Sequence, residues 1–239
     1  MKKAILGSLA VLPLVVGGVF TNASSASAAA LVGEFSISPG INSSPLVVTN
    51  STLFSNKINF SPNPGGVFVT NQTGTFSSFD AATIKSIPAP LIPSNGGTKD
   101  SPLISNFLDL GQLNFPFANN PSTNDGQNTF SLLSIGSYSI EEMFDNNGNF
   151  TGTSISLGVS GFFTSADGQM SNGAGTVTFQ STQRKPGVLT AMASSNGLNA
   201  SFSGVFISAS VPEPTTLVGL GLVAGSLVMS RRGKKNQAE

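Results

Sequence analysis

The chain of 239 residues contains no cysteine, no histidine and no tryptophan, and a single tyrosine, Tyr138. Each absence closes off a class of chemistry. Without cysteine a domain outside the cytoplasm has no disulfide staple and must rest on its hydrophobic core. Without cysteine and histidine the common zinc sites are closed off, as are Ser-His and Cys-His nucleophilic catalysis. Tryptophan and tyrosine are the usual platform on which sugar rings stack, and that platform is nearly missing. Charge is scarce too, at 9% of residues, against an average near 25%. Solubility must therefore come from Ser, Thr, Asn and Gly.

The formal net charge of zero hides an uneven distribution. Both ends are basic. Between Leu31 and Ser210, nine acidic side chains face five basic ones, about −4. Nucleic acid needs a basic face, so this balance argues against it as a partner.

The C-terminal stretch organises the rest. Val211-Pro212-Glu213-Pro214 precedes an apolar run without charge from Thr215 to Ser230, and Arg231-Arg232-Gly233-Lys234-Lys235 follows. Pro212 and Pro214 cannot extend a sheet interior or sit deep in a helix, so they separate body from tail. The run reads as a single transmembrane helix over 215–230. Arg231, Arg232, Lys234 and Lys235 act as its stop and stay cytoplasmic under the positive-inside rule. At about 1.5 Å per residue the helix reaches roughly 25 Å, against a hydrocarbon core of about 30 Å. A span this marginal suits a temporary anchor. Gly219-Leu220-Gly221-Leu222-Val223-Ala224 matches a dinucleotide-binding pattern. It lacks the preceding strand and the βαβ unit that would give the match meaning.

At the other end, Met1-Lys2-Lys3, the apolar Ala4–Phe20 and the small residues Ala26-Ser27-Ala28 read as a secretory signal peptide over 1–28. Ala26 and Ala28 stand at the cleavage positions for signal peptidase, with Ala28-Ala29-Ala30 as the alternative. Everything between the two ends is then expected outside the cytoplasm, membrane-anchored until the tail is processed.

The order proline-glutamate-proline, apolar run, basic cluster resembles the PEP-CTERM sorting signal of exported bacterial proteins. The resemblance implies that an exosortase recognises Pro212, Glu213 and Pro214. It also implies delivery to the cell surface or extracellular matrix, in a role that is not enzymatic. Gly74-Thr75-Phe76 with Thr83-Ile84-Lys85, Ile104–Leu110, Gly175–Phe179 and Phe202–Ser210 are similar to a recurring domain of cyanobacterial PEP-CTERM proteins. That likeness implies an all-β exported body and carries no active-site motif.

The residues of the body read the same way. Ile155, Leu157, Val159 and Phe163 alternate with Ser154, Ser156, Gly158 and Ser160, a half-buried strand pattern. Val177 and Phe179 alternate with Thr176, Thr178 and Gln180. Thr129–Phe144 and Phe150–Phe163 form a hairpin about Asn146-Asn147-Gly148. Thr52–Phe60, Val67–Phe76, Leu103–Leu110, Val188–Met192 and Ser201–Ala209 also read as strands. Many short strands between turn signals predict an all-β fold over 31–210, an antiparallel β-sandwich or jelly roll, flanked by the signal-peptide helix and the C-terminal transmembrane helix.

No constellation for chemistry emerges. Glu141-Glu142 is the only adjacent carboxylate pair, and neighbours on a strand point to opposite faces. Asp145-Asn146-Asn147-Gly148-Asn149 opens like a calcium loop, but Phe150 stands where the glycine is needed and no Glu follows at position twelve. No metal and no cofactor is expected. The alternative to a structural or adhesive surface protein is a carbohydrate-binding or carbohydrate-acting β-sandwich, with exopolysaccharide as its partner. Its discriminator is an aromatic platform, or paired carboxylates roughly 5–9.5 Å apart across a cleft.

Overall fold

A computed structural model describes residues 30–43, 46–89, 92, 98–112 and 125–210. The strands run in chain order as β1 (Gly33–Pro39), β2 (Ile41–Ser43), β3 (Leu46–Val48), β4 (Asn50–Phe54), β5 (Lys57–Ser61), β6 (Gly65–Thr70), β7 (Ala81–Ile84), β8 (Thr98–Gly111), β9 (Thr129–Phe144), β10 (Phe150–Thr164), β11 (Met170–Ser181) and β12 (Leu198–Ser210). A 3-10 turn at Gly74–Ser78 and one α-helix, α1 (Lys185–Ala193), complete the described elements. Among the described residues no helix is long and apolar enough to cross a membrane. The expected signal peptide and the segment 215–230 both lie outside them.

The body is all-β and antiparallel, but it is a closed barrel and not a sandwich or jelly roll. Eight strands follow one another in the order β1-β6-β7-β8-β9-β10-β11-β12, and β12 pairs back onto β1. The closing seam sets Phe35 opposite Phe206 and Ile37 opposite Gly204. The reason the sequence points equally to either fold is geometric. Residues alternate in and out along a strand of a sandwich and of a barrel alike, so period two cannot tell them apart. Only the pairing of the first long-range strand with the last does so.

The β4–β5 hairpin extends the wall, pairing with β12 at Leu198–Ala200. Thr52–Phe60 is thus two strands about a turn at Ser55-Asn56, rather than one. β9 and β10, of 16 and 15 residues, are the longest described strands, and their pairing slips at three irregularities. Such bulges bend a strand and increase its twist.

Side chains fill the interior. Phe35, Phe76, Phe130, Phe163 and Phe206 are fully buried and interlock, with centroids 4.7 Å apart for Phe130–Phe163 and 4.8 Å for Phe35–Phe76. Each ring buried to this degree contributes about 1.5–3 kcal/mol. Glycines make room for them: a Cβ on Gly173 would stand 2.6 Å from the Phe163 ring and 2.8 Å from that of Phe130.

Both ends of the barrel are closed. At the end where the chain enters and leaves, Phe76 on the 3-10 turn forms a plug. That turn is tied to the entering chain by Thr75 N–H donating to the Val32 carbonyl and Val32 N–H donating to Thr75 Oγ1. Gly74 sits at φ +60, where an added Cβ would collide with the Val32 carbonyl, so glycine is required there. Val67–Phe76 accordingly stops as a strand at Thr70. Ser171 and Ser208 both place a hydroxyl 2.6 Å from the Leu31 carbonyl and satisfy it inside the wall.

At the far end, α1 and the β4–β5 hairpin form the lid. Val188 and Met192, four residues apart, point inward, and the Met192 carbonyl accepts from Ser55 N–H. Val188–Met192 is therefore helical and not a strand. Pro186 occupies the first turn of the helix, where its missing N–H costs nothing.

Candidate functional site

Among the described residues, one concave site is a groove of about 840 Å³ at the far end of the barrel. Its floor is the outward face of β11, β12 and β4. Gln180 lies opposite Ser201, and Asn199 lies opposite Thr52. Thr52 Oγ1 donates to Asn199 Oδ1 at 2.8 Å. Pro39, Val48, Ser181, Thr182 and Gln183 also line it. The frame is held by its own hydrogen bonds. Thr153 Oγ1 donates to the Gln183 carbonyl at 2.7 Å, Gln183 N–H donates to Ser181 Oγ, and Ser51 Oγ donates to the Ala200 carbonyl at 2.6 Å.

The lining contains Ser, Thr, Asn and Gln with Pro, Val and Ala, and no ionisable side chain. Proton transfer needs a group that titrates, so this groove has no general acid or base of its own. What it offers is hydroxyl and amide hydrogen bonding on a preformed surface.

The carboxylates are elsewhere. Glu141 and Glu142 stand opposite Ser154 and Thr153 and project to opposite faces of the wall. Glu142 is engaged at the start of α1, accepting from Lys185 N–H at 2.9 Å and pairing with Arg184 at 3.3 Å. Arg184 also lies 4.6 Å over the Phe150 ring. Asp145 accepts from Asn147 N–H, Asn149 N–H and Asn149 Nδ2, all across its own hairpin turn. The Asn149 side chain and backbone hold its carboxyl below the usual carboxylate range. Both oxygens are thus engaged by the turn. Among the described residues no three potential ligands cluster to hold a metal ion.

Among the residues whose burial is described, Asp109 on β8 is the one buried carboxylate, 2% exposed. Its Oδ2 accepts from Gly126 N–H at 2.8 Å, while Oδ1 has no partner. Burial raises its pKa and Asp125 adds to the rise. The Gly126 hydrogen bond and Lys85 oppose it. Tyr138 is not a sugar platform. Its ring packs on the core, its hydroxyl donates to the Lys57 carbonyl, and burial pushes its pKa up.

Among residues singled out from sequence, Pro212, Glu213, Pro214, Arg231, Arg232, Lys234, Lys235, Ala26 and Ala28 lie outside the described residues. Gln180, Asn199, Ser201 and Thr52 escape sequence reading because these residue types occur throughout the body. Only the strand register brings them together.

Fold and site together define a filled, eight-stranded antiparallel barrel with a neutral polar groove at one end. Compared with protein-family models, with curated proteins and with solved structures, the chain matches none.

Proposed function

We propose that this is an exported, non-enzymatic protein of the cell surface or extracellular matrix. Signal peptidase acts after Ala28, and the tail holds the protein in the membrane. An exosortase then processes it at Pro212-Glu213-Pro214, with Arg231, Arg232, Lys234 and Lys235 as the cytoplasmic stop. Both enzymes are transient partners, and no nucleic acid is involved.

The observation that carries the non-enzymatic reading is the groove free of ionisable side chains. A second observation supports placement between two processed ends. The body enters at Leu31 and leaves at Ser210 on the same end of the barrel, with Ser171 hydrogen-bonded to the Leu31 carbonyl and opposite Ser210 in register.

Intact-mass analysis of the exported chain, from cells that contain an exosortase, tests the sorting half. The expected species ends near the Pro212-Glu213-Pro214 motif. Glu213→Ala is expected to leave an uncleaved, membrane-bound form, and Lys57→Ala to change nothing. Finding the wild type still carrying residues up to Glu239 would overturn this reading.

A further inference from the structure

The geometry points to the groove as a binding site for a neutral oligosaccharide, the repeat of an uncharged polysaccharide. This inference deepens the non-enzymatic reading and rests on it, since a binding site without an acid or base holds a sugar without cutting it.

The chemistry of the lining selects the ligand class by elimination. A phosphate, sulfate or uronate would find no cation in the lining, and an amine would find no carboxylate. Burying either charge unpaired is strongly unfavourable. A lipid or apolar ligand would strip water from the hydroxyls and amides and return no hydrogen bond. A neutral polyhydroxylated chain meets neither obstacle, because each of its hydroxyls both donates and accepts.

The available atoms fit that ligand. Gln180 and Ser201 are exposed, adjacent across β11 and β12, and make no side-chain hydrogen bond within the protein. Asn199 has Oδ1 engaged by Thr52, which fixes the amide plane and leaves Nδ2 to donate. Val48, half exposed at 51%, and Pro39 offer a small apolar surface for the C–H face of a sugar ring. Because the frame is already hydrogen-bonded, little ordering is required on binding. The volume also falls within the range of about 300–1,000 Å³ usual for ligand sites.

Calorimetric titration of the full chain with cellohexaose, maltohexaose and xylohexaose tests the site, with polygalacturonate and hexa-glucosamine as charged comparators. At least one neutral hexasaccharide is expected to bind, and both charged polymers to bind more weakly or not at all. Gln180→Ala and Asn199→Ala are each expected to weaken binding about five- to tenfold, the effect of one lost hydrogen bond. Ser201→Asp, at an exposed position that leaves the core untouched, is expected to weaken it at least as much. Val205→Ser, exposed on β12 outside the groove lining, is expected to leave it unchanged.

No binding by any neutral hexasaccharide would overturn the inference. So would preference for a charged polymer, or binding that all three groove variants leave intact. Release of new reducing ends from a bound hexasaccharide would instead defeat the non-enzymatic reading while leaving the site in place.

Discussion

Eighteen phenylalanines in a chain with one tyrosine and no tryptophan raise the question of where the aromatic surface lies, and most of the described rings lie inside. Phenylalanine cannot hydrogen-bond, so a closed interior suits it better than a wet groove. The core identity of Phe163, Val177 and Phe179 is legible from period two. The role of Gly173 is not, because it depends on two rings from other strands. The aspartates divide in the same way. Asp145, in its hairpin, is legible from Asn-Asn-Gly beside it. Asp109 carries no sequence signal, yet its burial gives a pH signature. Its folded pKa is raised, so the stability tied to its proton is fully present below the unfolded pKa and is lost as pH rises through the raised folded value. Asp109→Asn keeps an acceptor for Gly126 N–H and removes the charge. The variant is expected to be more stable than wild type at pH 7, with the gap closing as pH falls toward the ordinary carboxylate value of 3.8. Denaturant titrations between pH 7 and pH 4 read this directly. A gap that widens on acidification would show that the carboxylate is stabilised by a partner instead. Asp145, with its pKa lowered, acts with the opposite sign: its contribution is present above the unfolded pKa and lost as pH falls through the lower folded value.

The segments of β10 and β11 leave a clear alternating pattern, and the β9–β10 hairpin is legible nearly to its ends. Short elements are harder to read. In α1, nine residues give only two inward positions, Val188 and Met192, and four-residue spacing fits a strand face equally well, since both positions share parity. The Pro186-Gly187 pair reads as a turn, although proline is equally at home in the first turn of a helix. What fixes α1 is tertiary. Glu142, 42 and 43 residues earlier in the chain, accepts from the Lys185 N–H and pairs with Arg184. A carboxylate at a helix N-terminus satisfies a free donor and opposes the helix dipole. Glu142→Ala is expected to lower stability by about 1 kcal/mol, against a negligible effect for Glu141→Ala. Glu141 is exposed and meets only Ser139. Chemical denaturation of the two variants side by side checks this, and equal losses would mean that Glu142 does not hold the helix.

At the scale of the molecule, closure is the property that sequence reading cannot reach. β1 and β12 lie about 170 residues apart in the chain, yet Gly33 to Ile37 pair with Ser208 to Gly204. The groove has the same cause, since Pro39, Asn199 and Gln180 meet only once the wall is closed. The closing strand is also the last before the Pro212-Glu213-Pro214 motif, so no barrel can form until residues through Ser210 are available. Folds dominated by such distant pairings form slowly, in milliseconds to seconds. The boundary at Ser210 therefore makes a sharp prediction. A chain cut after Ser210 keeps every described strand, and its melting temperature is expected to stay within about 2 °C of the full chain, a shift equivalent to well under 1 kcal/mol. A chain cut after Gly197 loses β12, and with it Phe202, Phe206, the seam and the Ser208 bond to the Leu31 carbonyl. Removing two buried rings alone costs about 3–5 kcal/mol each, comparable to the whole stability of a domain. That shorter chain is expected to show no cooperative melt. A cooperative transition surviving the cut after Gly197 would mean that the remaining strands close without the seam. A drop of many degrees on the cut after Ser210 would mean that the tail is part of the folded body.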